Sequence, residues 1–91
     1  MNVRWWRVAV VFEKEGAPCT WTLHVRAFTE ESARRLVEQR VGERPFFVYA
    51  CQPSEPLTKV ANREEIVADY GPYERSWDDP MLAGLRSNLV G

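Results

Sequence analysis

An α+β domain is the fold class this sequence predicts, and three observations predict it. Apolar residues alternate with a period of two between Arg4 and Ala27; a capped amphipathic helix pattern follows; a third run rich in β-forming residues comes directly after it. The expected architecture is β-β-α-β over residues 1–51, with a three- to four-stranded antiparallel sheet in the order 2-1-3. One main helix packs on that sheet, and a C-terminal extension over 52–91 adds two short helices. At 91 residues the chain is read as a single domain, 1–91, with no room for two independent cores.

In the first strand, Trp6, Val8, Val10 and Phe12 share one face. The other face, with Trp5, Arg7, Ala9, Val11 and Glu13, is mixed, which suits a central strand. Lys14 to Pro18 is expected as a five-residue loop closing a hairpin. The second strand then sends Cys19, Trp21, Leu23, Val25 and Ala27 inward and Thr20, Thr22, His24 and Arg26 outward.

Thr29 is an N-cap, and Glu30 and Glu31 place negative charge on the positive end of the helix dipole. Ala33, Leu36, Val37 and Val41 recur at helical spacing, and Gly42 ends the helix. Pro45 to Cys51 is the third strand. A right-handed crossover brings it beside the first strand, so every strand pair is antiparallel.

In the extension, Pro53 to Pro56 is a loop and Leu57 to Val60 a short edge strand. Asn62 with Glu65 has the form of a capping box before a two-turn helix facing inward with Ile66, Val67 and Tyr70. Gly71-Pro72 stops it. Asp79-Pro80 opens the second helix, with Leu82, Leu85 and Leu89 on one side.

Chemistry is sparsely marked. The longest strongly apolar run, Val8 to Phe12, is five residues, against the roughly 20 that cross a bilayer, so no membrane span is expected. Residues 1–50 carry eight Lys/Arg against six Asp/Glu, and residues 51–91 four against seven, too little basic density for duplex binding through phosphates. Two cysteines and one histidine without a C-x₂₋₄-C pair do not make a structural zinc site. No export signal is visible, so a cytoplasmic setting with reduced thiols is expected. A Cys–His nucleophile is disfavoured because Cys19 and His24 fall on opposite faces of one strand. Asp78-Asp79 reads as a helix cap with a solvated neighbour rather than a cation site. No catalytic residue, metal or small-molecule cofactor is assigned.

The informative feature is the outer face of the hairpin. Trp5, Arg7, His24 and Arg26 share it, joined by either Phe46 and Val48 or Phe47 and Tyr49 of the third strand. Tryptophan, tyrosine and arginine dominate the hot spots of protein interfaces. The expected function is therefore a non-enzymatic protein-interaction module, a regulator or adaptor, with homodimerisation as one form of partnering. The alternative is a single-stranded nucleic-acid binder whose sheet stacks unpaired bases. In either case Trp5 is an exposed anchor, unless the C-terminal segment covers it as part of a second core.

Overall fold

The period-two alternation becomes a long antiparallel hairpin. In the computed structural model, which describes residues 3–42, 46–55 and 62–82, β1 (Arg4–Lys14) pairs with β2 (Ala17–Ala27) along its whole length. The turn has two residues, not the expected five: Lys14 faces Ala17, and Pro18 joins the ladder opposite Glu13. Glu15 and Gly16 both take positive φ, 53° and 81°, the backbone whose twist matches that of the strands it joins.

Helix α1 (Glu30–Val41) begins as its residues require. Thr29 is extended, and its hydroxyl accepts from the Ser32 amide at 3.1 Å. At the other end Gly42, at φ 86°, donates its N–H to the Glu38 carbonyl. Glu30–Arg34 and Glu31–Arg35 pair along the wet face at 3.4 and 3.3 Å. Ala33, Val37 and Val41 are buried against Trp6, Val8, Val10, Phe12, Trp21, Leu23 and Val25, while Leu36 is half-buried at the margin. Each large aliphatic side chain buried here contributes roughly 1.5–3 kcal/mol. The Trp6 indole keeps its polar handle satisfied by donating to the Ala27 carbonyl.

Strand β3 (Phe47–Pro53) pairs antiparallel with β1, two residues later in the chain than expected, and its register slips between Ala9 and Val10. Val48 and Cys51 face the helix-side core, and Phe46, just before the strand, packs against it. Phe47, Ala50 and Gln52 oppose Val11, Ala9 and Arg7 and so turn to the other face.

The extension corrects the reading of its first helix. Residues Glu65–Glu74 form strand β4, antiparallel to β2, and the sheet order is β3-β1-β2-β4. That differs from the expected 2-1-3 in carrying a fourth strand outside β2. The capping-box residues are spent elsewhere: Asn62 Oδ1 accepts from the Val3 amide, and Glu65 pairs with Arg26. A β-branched Ile66-Val67 pair beside the open edge of β2 gains more from a ladder than from an isolated two-turn helix. Gly71, at φ 70°, lies within this strand rather than stopping a helix. In place of the start of the second helix there is a single 3-10 turn, Pro80–Leu82. The expected strand at Leu57 to Val60, and the rest of that second helix with Leu85 and Leu89, lie outside the described residues.

Candidate interaction face

The helix occupies one side of the sheet, so the chemistry of the other side depends on what the sheet presents there. Alternation sends Trp5, Arg7, Ala9 and Val11 of β1, and Thr20, Thr22, His24 and Arg26 of β2, to this second face. Much of it is closed. Trp5, Ala9, Val11, Thr20 and Arg26 are buried, and Leu82 is buried outside the helix-side cluster. The segment after β4 is tied back over the hairpin end. The Arg75 amide donates to the Pro18 carbonyl, Arg75 Nε to Thr20 Oγ1 at 2.8 Å, and Trp77 Nε1 to the Gly16 carbonyl at 2.8 Å.

This burial corrects the expectation that Trp5 is an exposed anchor. Trp5 is 4% exposed and lies beneath Arg26, whose guanidinium carbon is 5.7 Å from the ring centroid. Arg26, also 4% exposed, forms an ion pair with Glu65 across the β2–β4 ladder. A buried cation needs such a partner, because an unpaired charge in this setting is strongly destabilising. Trp5 Nε1 and Arg26 Nε are shielded from solvent and make no hydrogen bond.

The other two expected contact residues remain reachable. Arg7 is exposed and faces Gln52 on one side and His24 on the other. His24 is half-buried, and the Tyr70 ring meets it edge-on at 5.4 Å. Burial pushes the His24 imidazole below its ordinary pKa, and the neighbouring Arg7 charge adds to that depression. Its Nδ1 is shielded and makes no hydrogen bond.

Sequence reading missed the tyrosines here. Among the described residues, Tyr70 and Tyr73 are the exposed large hydrophobic side chains, at 46% and 57%. The sequence pattern predicts Tyr70 on the inner face of a helix, whereas it stands in strand β4. Tyr73 lies opposite Thr20, with the Arg75 guanidinium carbon 5.7 Å from its ring centroid. The available signal was Gly71-Pro72: together these two residues are poor in a helix and tolerable in an edge strand.

The remaining chemical groups are kept apart. Cys19 and Cys51 form no disulfide and lie on the helix side of the sheet, opposite the face that carries His24. Burial pushes the Cys51 thiol up, against the opposing influence of Arg34. The Asp78 amide donates to Ser76 Oγ, and the Asp79 carbonyl accepts from the Leu82 amide. No group of three or more His, Cys, Asp or Glu residues that could hold a metal occurs among the described residues, and none of their helices is long and apolar enough to cross a membrane. Two clefts of about 180 and 200 Å³ are lined by Ser32, Arg35, Leu36, Gln39 and Glu64, and by Phe12, Lys14, Cys19, Pro72 and Glu74. Both are smaller than the pockets that enclose drug-sized ligands. Comparison of the chain with protein-family models, with curated proteins and with solved structures gave no match.

Proposed function

We propose that this chain is a small non-enzymatic protein-interaction module, a regulator or adaptor, which meets its partner on the outer face of the hairpin. The observation that carries this reading is the exposure of Tyr70 and Tyr73 beside Arg7, His24 and Arg75 on one side of the sheet. Rigid aromatic side chains next to arginines supply large contact area at low entropy cost, the composition of interface hot spots. Of the four contact residues expected from sequence, Arg7 and His24 stay in this role, while Trp5 and Arg26 support the face from beneath.

The test is retention of a native partner by the purified chain and by a Tyr70→Ser/Tyr73→Ser variant, with sedimentation of both to detect self-association. Loss of the partner or of the dimer in a variant that keeps its fold supports the reading. Unchanged retention and unchanged sedimentation reject it. The second reading, single-stranded nucleic-acid binding, is favoured by the same sheet-borne tyrosines, since base stacking on aromatics is sequence-tolerant. Its signature is a salt dependence as steep as the several phosphates it neutralises, far steeper than an interface built on two tyrosines and one arginine shows.

A further inference from the structure

We propose that the open part of this face, centred on Arg7 and His24, takes a carboxylate-rich segment of the partner protein, and that docking is coupled to uptake of a proton by His24. The proposal rests on the interaction-module reading and adds the partner's chemistry. Arg7 is exposed, has no ion-pair partner among the described residues, and stands directly opposite His24 in the β1–β2 ladder. Around His24, β1 presents Arg7 and Trp5, β2 presents Arg26 and Thr22, and β4 presents the Tyr70 ring.

Neither carboxylate that the described strands place on this side compensates Arg7. Glu65 is held by Arg26 and Arg63. Glu13 lies six residues along β1 from Arg7, about 20 Å away and beyond a Debye length at physiological salt.

Among the described residues Arg7 therefore stands as an uncompensated cation beside an imidazole that burial and the Arg7 charge hold in its neutral form. Like charges directly opposite each other in a ladder are destabilising, and the shielded Nδ1 has no acceptor for a second proton. A partner carboxylate at Arg7 reverses that local field. It offsets the arginine and favours the imidazolium, so binding takes up a proton and tightens as pH falls toward the free His24 pKa. Phosphates would supply the same charge. Yet among the described residues this face offers one arginine without an ion-pair partner, with Arg75 already engaged by Thr20 and Tyr73, whereas phosphate tracking needs several cations.

His24 is the single histidine of the sequence, so its ring signals in an NMR spectrum need no assignment. The chain is titrated with a decaglutamate peptide, a neutral glycine–serine decapeptide and a ten-residue thymidine oligonucleotide, each across the pH range of histidine. The expected result is that decaglutamate shifts the amides of Arg7, His24 and Tyr70, raises the His24 midpoint, and binds several-fold more tightly at about pH 6 than at about pH 8. An Arg7→Gln variant with an otherwise native amide spectrum should bind about tenfold more weakly and lose the midpoint shift.

If decaglutamate leaves these amides unmoved, the proposal is overturned. If they move while the His24 midpoint does not, proton coupling is overturned. Equal shifts with the neutral peptide overturn the carboxylate partner but keep the interaction-module reading. Tighter binding of the oligonucleotide than of decaglutamate overturns both.

Discussion

Asp69 joins three parts of the fold that are far apart in sequence, and replacing it by alanine isolates what that junction contributes. Its carboxylate accepts from Trp21 Nε1 at 2.6 Å, from the Gly71 amide at 2.8 Å and from Arg40 Nε at 2.8 Å. β2, β4 and the last turn of α1 thus share one acceptor. Asp69→Ala leaves the Trp21 indole N–H, on a ring only 9% exposed, without a partner, at a cost of about 1–3 kcal/mol. Loss of the Gly71 bond adds about 1 kcal/mol, and the Arg40 pair, more than half exposed on the arginine side, adds well under 1 kcal/mol. The expected total is about 3 kcal/mol, a large fraction of the stability of a domain this size.

Urea denaturation followed by tryptophan fluorescence should show a lower midpoint with an unchanged slope. Asp69→Asn keeps an acceptor oxygen for Trp21 and Gly71 and should lose only about 1 kcal/mol. The two variants also separate in pH. Burial pushes the Asp69 pKa up, but the bonds from Trp21, Gly71 and Arg40 outweigh it and hold the group below its ordinary value. A depressed carboxyl contributes stability that is present above the unfolded pKa, about 3.9, and is lost as pH falls through the folded pKa. The native chain should therefore lose an acid-labile increment below about pH 4 that Asp69→Asn does not show. A destabilisation of Asp69→Ala under about 0.5 kcal/mol, or identical acid profiles for native chain and Asp69→Asn, would refute the argument.

Other perturbations test the two faces separately. Leu23→Ala removes a fully buried side chain beneath α1 and should cost roughly 2–5 kcal/mol in chemical denaturation. Trp5→Ala should cost roughly 3–5 kcal/mol, because Trp5 is a buried residue under Arg26; a variant with native stability would show that the second face is open there. Cys19 is buried and the Cys51 thiol is pushed up, so both should react slowly with iodoacetamide near neutral pH, and a rapidly alkylated cysteine would contradict their placement.

The N-terminal half was readable because its signals are local. Alternation alone assigns Trp6 and Leu23 to the helix side and Arg7 and His24 to the other, and Thr29 and Gly42 bracket the helix through their own backbone needs. The β4 segment was misread because Ile66, Val67 and Tyr70 are spaced for either a helix face or a strand broken by Gly71-Pro72. What decides between them is the unpaired edge of β2, forty residues earlier and invisible in the segment itself. The same blind spot hid the state of the outer face. Arg7 and His24 were placed there correctly by register, but the burial of Arg26 depends on Glu65, whose position follows only once β4 is a strand.

The Arg26–Glu65 pair also has a consequence in time. Glu65 follows Arg26 by thirty-nine residues, so a ribosome working at about 5–20 residues per second delivers the carboxylate roughly 2–8 s after the arginine. During that interval the hairpin and α1 can already cover the helix side of the sheet. The other side cannot close, because sealing Trp5 beneath an arginine without its counter-ion is too costly. The nascent chain thus carries an open aromatic surface for seconds, until β4 arrives and brings Glu65 to Arg26. A substitution at Glu65 should accordingly appear first as lower yield and greater dependence on chaperones during synthesis, before any loss in the purified protein's partner binding.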